Sequence, residues 1–451
     1  MATGALGSLS GASYSTVGAC SLLFCLALLL TGCRPSARPP IAWDASHDVR
    51  LTRRPVISSP VAWDFDGDGV MEIAVGSWDG YFYLLDADLN DVPGWPQYSP
   101  KGFFSSPALA DLDGDGVPEI LVGAESGQLF AWRFDGSDAP GFPVDLGYPI
   151  WASPTILPGP RIAIGGLEMM HMLDAQGRPI PGWPQSMQGW PVATAASDDA
   201  LLIVVTLTPG DPSQGWLYAW KVGGELLPGF PLELPLDSDS SPALAQLDGD
   251  GARWIIFGDD AGFLNVVDTA GRPRAGFPIR SHGPPPGLPT PTPHPPGGNI
   301  HSIEASPAVA DLVGDGRCEI VVGSWDGQLY VVDDAGLALP GWPIRVGDQI
   351  ISSAALVDLT GDERLDIIVG SKDGFLYGWN VAGEPLPGFP YHLGAHVFSS
   401  PWIGDLVGNG RADIVVGANN GIHVLCDVGV LGRSVWPMFH ANERRTGWVC
   451  E

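Results

Sequence analysis

The residues best equipped for chemistry are carboxylates: Asp64, Asp66, Asp68 and Glu72 in DFDGDGVME, and Asp111, Asp113, Asp115 and Glu119 in DLDGDGVPE. The pattern D-x-D-G-D-G-x-x-E could serve a catalytic acid cluster, a metal loop or a solvated turn. Carboxylates at positions one, three and five of a tight loop converge on one point. Glycine at six permits the turn, Val70 and Val117 at seven offer backbone carbonyls, and position nine returns another carboxylate. Hard oxygens at adjustable distances suit Ca2+, whereas Mg2+ prefers to keep water in a small octahedron. Four carboxylates this close repel strongly unless a cation sits among them.

The loops recur. Gly-aromatic-Pro appears with its ring at Trp95, Phe142, Trp183, Phe230, Phe277, Trp342 and Phe389, and again as Val-Trp-Pro at Trp436. The intervals are 47 residues, broken once by 41 and once by 65. Repeats on this scale identify the architecture before any local reading does. An anchor, Pro60, Pro107, Ala195, Pro242, Pro307, Ala354 or Pro401, precedes the aromatic by 35 residues in seven units, and Pro154 is the eighth anchor. The units run approximately 58–104, 105–151, 152–192, 193–239, 240–304, 305–351, 352–398 and 399–448.

Each unit reads as an apolar strand, an acidic loop, a β-branched strand, a glycine turn, an aromatic strand, a Pro-Gly turn and a short fourth strand. The expected fold is all-β: one propeller over 41–451 with four-stranded antiparallel blades, eight of them, or seven if a terminal unit fails to form one. The repeated aromatic reads as packing between blades. DVRLTRRPVISSPVAWD (48–64) aligns with PIRVGDQIISSAALVD (343–358), so the N-terminal segment resembles a fourth strand owned by the last blade. The C-terminal VWPMFH could close the ring instead, or Trp436 to Gly447 could plug an edge.

The other loops decay. Unit five keeps Asp248 and Asp250 but has Gln246 and Trp254 at positions one and nine. Units six to eight keep one, five and nine as Asp311, Asp315 and Glu319, Asp358, Asp362 and Asp366, and Asp405, Asn409 and Asp413, with Val313, Thr360 and Val407 at three. These are weaker candidates. Units three and four lack the loop, since Pro154 to Gly165 is 11 residues against 16 from Pro107 to Gly123.

The acidic loop, the following ILVG or IVVGSWDG, and the PGFP turn resemble the FG-GAP or VCBS repeat family, whose calcium-loop propellers also head integrin alpha chains. The resemblance covers all eight units. It implies a propeller with Ca2+ as its cofactor, and points broadly to adhesion or binding rather than to one activity.

The chain carries 51 acidic against 22 basic residues, net −29, which excludes a nucleic-acid partner because phosphate binding needs a basic face. Residues 1–32 hold no charged side chain and end LLLTGC. They read as a signal peptide with a lipobox, making Cys33 the lipidation site and 33–40 a tether. The expected location is exported and membrane-anchored at the cell envelope or surface, the alternative being an uncleaved hydrophobic anchor. Cys426 and Cys450 are candidates for a disulfide, though spacing does not set connectivity.

Ligand contacts are expected opposite the acidic loops, where the strand two-three turns and inter-blade linkers lie. Unit four lengthens its turn there (Thr206 to Gly215), and a Pro-rich insertion occupies 281–303. Trp78 and Trp325, in GSWDG turns, and Trp151 and Trp190, near linkers, offer either a sugar platform or packing beside the channel. His282, His294 and His301 lack transition-metal spacing. No nucleophile triad, HExxH, phosphate loop or CxxC occurs. The expected function is a non-catalytic, calcium-stabilised propeller binding an extracellular glycan or protein. The alternative is a polysaccharide lyase, for which Lys372 and His301 are the nameable groups.

Overall fold

A computed structural model describes residues 46–208, 213–281 and 301–449. The leader, Cys33, the tether, His282, His294, most of the Pro-rich insertion and Cys450 lie outside the described residues. The described chain forms eight sheets, each built on four antiparallel strands, arranged as a ring. The seven-blade alternative drops out.

Blade two shows the local logic. Ala108–Ala110 is the innermost strand, followed by Glu119–Gly123, Gln128–Trp132 and the outer Val144–Asp145. Small residues crowd the axis. The second strand, EILVG, is buried along its whole length, because a blade is covered on both faces. Gly123 ends it where the linker to blade three crosses. A Cβ there would stand 2.3 Å from the Ile150 side chain, so only glycine admits the crossing.

The turn aromatics pack between blades. Trp95, Trp183 and Trp342 donate their indole N–H to carbonyls of Phe134, Val222 and Val381 in the following blade, at 2.8 to 2.9 Å. Trp95 also meets Trp132 edge-on at 5.7 Å.

The Ser-Ser pairs join the blades near the axis. The first serine stays local: the hydroxyls of Ser58, Ser105, Ser240, Ser352 and Ser399 accept N–H bonds from Gly76, Gly123, Gly258, Gly370 and Gly417. The second reaches the next blade. The N–H of Ser59 donates to the Ser106 hydroxyl, Ser106 to Ser153, Ser153 to Thr194 and Thr194 to Ser241. Ser241 then donates to Ser306, Ser306 to Ser353, Ser353 to Ser400, and Ser400 to Ser59. The eight bonds form a closed belt.

Both termini finish the ring, in different ways. Ser46–Leu51 pairs antiparallel with Gly421–Val430, from Ser46 opposite Cys426 to Leu51 opposite Gly421, and so supplies the outer strand of blade eight. The C-terminal segment enters the central channel instead. Its strand Ser434–Trp436 pairs with Ala355–Val357 of blade seven, and Trp448–Val449 runs parallel to Ala243–Ala245 of blade five. Between them, Leu109, Ile156, Ser197, Leu244 and Ile403 donate N–H bonds of 2.7 to 2.9 Å to carbonyls of Glu443, Arg444, Thr446, Gly447 and Pro437. Each donor lies two residues after its anchor. The inner strands leave N–H groups at the axis, and the tail accepts those of blades two to five and blade eight.

Arg445 is fully buried in this plug. Its guanidinium donates to carbonyls of Ser59, Pro60, Pro107 and Phe439. Burial lowers its pKa to about 9, which leaves the side chain charged at neutral pH. Cys426 is buried and disulfide-bonded, while its expected partner, Cys450, lies outside the described residues.

Candidate metal loops and ligand face

The metal loops begin as turns. Asp64 Oδ1 accepts the N–H of Gly67 at 2.7 Å and of Asp68 at 3.1 Å, and its Oδ2 accepts Gly69 at 3.0 Å. Glu72, at the start of the second strand, accepts the N–H of Phe65 at 2.9 Å. Positions one and nine thus fold the loop themselves. Asp66 and Asp68 receive only single N–H bonds from Asp68 and Val70, leaving most of their oxygen lone pairs outward.

Unit two repeats this with Asp111 holding Gly114 and Gly116, Glu119 holding Leu112, and Asp115 holding Val117. Carboxylate oxygens of Asp64, Asp66 and Glu72 lie within 4.8 Å of one another, as do those of Asp111, Asp113 and Asp115. Glu72 and Glu119 are pushed up to about 7, first by burial and then by neighbouring aspartates. Hard oxygens gathered in an acidic loop fit a divalent cation of the Ca2+ type, most fully in unit one, where no basic side chain among the described residues reaches the cluster. In unit two, Arg133 pairs with Asp113 at 2.7 Å and lies 3.9 Å from Glu119, so a protein cation meets part of that negative charge.

The weaker loops keep the turn and lose the cluster. Asp311, Asp358 and Asp405 still hold the N–H groups of the loop, and Glu319, Asp366 and Asp413 still hold position two. Asp315, Asp362 and Asn409 each accept an N–H two residues on. In units six to eight the positions that hold loop N–H groups, one, five and nine, persist, while position three drifts. In unit five a protein cation stands in: Arg274 lies 4.6 Å over the Trp254 ring and pairs with Asp248 at 2.9 Å, while Asp250 only caps Ala252.

On the opposite face the four tryptophans separate. Trp78 is 38% exposed, but Trp325, in the same GSWDG sequence, is 5% exposed and lies against Glu304. Trp325 is therefore core, and the platform reading fails for it. Trp151 and Trp190 are partly exposed, with ring centroids 5.7 Å apart and planes at 30°. The Trp151 indole donates to Glu125 at 3.1 Å. Trp78 lines a cleft of about 390 Å³ with Arg54, Lys101 and Glu125, at the joint of blades one and two. Lys372 bonds Gln349 in blade seven, while the His301 carbonyl accepts the Ser281 hydroxyl between blades five and six. The two groups named for a lyase are not brought together.

Two features escaped the sequence reading. Three residues before each anchor stand Ile57, Phe104, Trp151, Val192, Asp239, Glu304, Ile351 and Phe398, all at least partly exposed. Two adjacent members are acidic. Burial and mutual repulsion push Asp239 up to about 7, nearby Asp260 to about 8, and Glu304 well above its usual range. The change from apolar to acidic at this repeat position was visible in the sequence. The second feature is a cleft of about 310 Å³ on the loop face, where Trp63 and Asp111 meet Pro158, Pro160 and the tail. The shortened unit three leaves this space.

No curated protein matches the sequence. Among solved structures, Saccharomyces cerevisiae Sqt1 is similar at 12% identity and a TM-score of 0.60, with 86% of this chain and 98% of that one covered. The computationally designed Ika8 protein is similar at 14% identity and 0.55, covering 83% and 97%. The quinohemoprotein alcohol dehydrogenase from Comamonas testosteroni gives 15% and 0.60, covering 86% and 77%. At these identities the likeness concerns fold alone. Residues 64–122 match the model of the FG-GAP-like repeat, a stretch that runs through both carboxylate-rich loops. The chain is an eight-bladed β-propeller that carries an FG-GAP-like repeat.

Proposed function

We propose that this protein is a non-catalytic binding propeller, held rigid by Ca2+ in its first two loops, which presents its turn-and-linker face to a glycan of the cell exterior. Asp64, Asp66, Asp68 and Glu72, and Asp111, Asp113, Asp115 and Glu119, are the residues that would hold the ions. The hydrophobic leader ending at Cys33 supports export and anchoring at the envelope.

The Trp151–Trp190 pair carries the ligand reading. Two partly exposed indoles side by side at a channel mouth offer the apolar plates on which sugar rings stack. The plugged channel favours binding across the face over passage through the axis. A glycan is preferred to a protein because the exposed apolar groups are interrupted by charge rather than forming one broad patch.

Affinity electrophoresis of the mature chain through embedded neutral and acidic polysaccharides tests this. Retardation that Trp151→Ala/Trp190→Ala reduces, with the melting temperature unchanged, supports the reading. No retardation by any polymer leaves protein adhesion instead, and a cleared matrix would establish catalysis.

A further inference from the structure

The cleft between blades one and two combines features that no other blade joint repeats among the described residues. Arg54 and Lys101 occupy the same repeat position, six residues before Pro60 and Pro107, and both line the cleft. The other units place Tyr148, Gly189, Leu236, His301, Asp348 and Ala395 there. Only these two adjacent blades supply a cation.

Both cations are exposed, and neither charged end has a carboxylate partner among the described residues. Elsewhere in this chain, with 51 acidic and 22 basic residues, Arg50, Arg133, Arg178, Arg272 and Arg411 pair with aspartates. Asp79 also lines the cleft but is taken up within its own blade, by the Tyr83 hydroxyl and the N–H groups of Tyr81 and Arg53. Glu125 is oriented by the Trp151 indole through one oxygen.

Trp78 completes the wall. A Cβ on Gly102 would fall 2.5 Å from the Trp78 ring, so the glycine lets the linker press against one part of the indole while 38% of the residue stays exposed. An aromatic plate, two unpaired cations and one carboxylate oxygen then face a single space of about 390 Å³, a size typical of small-ligand sites, roughly 300–1,000 Å³.

We infer that this cleft binds a sugar unit bearing an anionic group, a uronate or a sulfated sugar. The sugar ring stacks on Trp78, Arg54 and Lys101 take the anion, and Glu125 accepts from ring hydroxyls. Charge-assisted bonds of this kind are the strong ones. Asp79 and Glu125 line the same cleft, so its formal charges balance and an anion is favoured only where the two unpaired cations stand, while charge elsewhere on the molecule is damped beyond about 8 Å at physiological ionic strength. The inference rests on the glycan-binding reading above and specifies its ligand.

The test is calorimetric titration of the full chain, at physiological salt with Ca2+, by trigalacturonate, its methyl ester, a sulfated galactose trisaccharide and neutral galactotriose. Trigalacturonate, the sulfated sugar or both should bind at least tenfold more tightly than the uncharged pair, and their order identifies the anion. Arg54→Gln/Lys101→Gln should remove that preference while leaving the melting temperature within a degree. Equal affinities for acid and ester, together with no preference for the sulfated over the neutral sugar, would overturn the inference. So would an acidic preference that survives the double substitution. Binding of neutral sugars alone, lost in Trp151→Ala/Trp190→Ala, would overturn this inference and preserve the broader function. Absence of binding by every sugar would overturn both.

Discussion

The N–H of Ser400 donates to the hydroxyl of Ser59 at 3.0 Å, across a sequence separation of 341 residues. It is the bond that turns seven inter-blade links into a circle. Ser59→Ala leaves the buried Ser400 amide without its acceptor, at a cost of about 1–3 kcal/mol. Ser59→Thr retains a hydroxyl, as Thr194 does at the same place in blade four, and should cost far less. Chemical denaturation of the two variants checks the contrast. Equal losses would mean the position is sensitive to volume, and that the hydroxyl contributes little.

Chelation should lower the melting temperature, because an ion bound only by the folded state contributes about 2.7 kcal/mol per site at a hundredfold excess over its Kd. Asp66→Ala should remove part of that effect, since the second loop remains. In the chelated protein Asp66→Ala should be nearly neutral, whereas Asp64→Ala should still destabilise by about 1–3 kcal/mol, because Asp64 holds three backbone N–H groups. Thermal scans with and without EDTA separate these duties. An unchanged wild-type transition on chelation would refute the metal assignment.

How far could this have been read from the residues? Asp66 and Asp64 look alike in D-x-D-G-D-G, and only the backbone geometry shows that Asp64 folds the loop through three N–H groups while Asp66 accepts one. The blades, their number and the N-terminal outer strand were legible because each repeats a pattern or aligns with one. The path of the tail was not. Glu443 to Gly447 belongs to no repeat and meets the inner strands of blades two to five through one amide each, so nothing periodic announces it. Trp78 and Trp325 make the same point at the ligand face: identical turns, each bonded to its linker in the same way, give opposite exposure, and only Trp325 has an acidic neighbour, Glu304, against it from that linker.

Arg445→Met should destabilise strongly, by at least about 3 kcal/mol, since it strands four carbonyls that the guanidinium now serves. Arg445→Lys should recover little of this, because a point charge cannot span the same set of acceptors. Urea midpoints of the three proteins provide the measurement. A lysine variant as stable as wild type would show that charge alone, without the planar fork, fills the channel.

The acidic pair at the channel mouth gives a pH dependence of known sign. Asp239 and Glu304 have pKa values raised above those of the unfolded chain, so their protonated forms are the ones the fold accommodates. Their stabilising contribution is complete below about pH 4 and is lost as pH rises through about 7 at Asp239. Asp239→Asn should therefore leave the melting temperature nearly unchanged below about pH 4 and raise it progressively as pH increases to about 7, by an amount on the order of 1–3 kcal/mol at pH 8.5. A variant less stable than wild type at pH 8.5 would contradict the sign.

One stretch, Gly421 to Val449, receives the first strand along its outer edge and then threads the axis. Neither closure can form until that stretch has been synthesised, and the pairing it makes with Ser46–Leu51 spans most of the chain. The earlier blades must wait as an open arc with a raw edge at one end and an unfilled hollow at the centre. Such long-range closure is slow. The molecule's vulnerable period is thus the interval between making its seventh blade and completing the stretch from Gly421 to Val449, and agents that recognise half-made proteins would meet this one there.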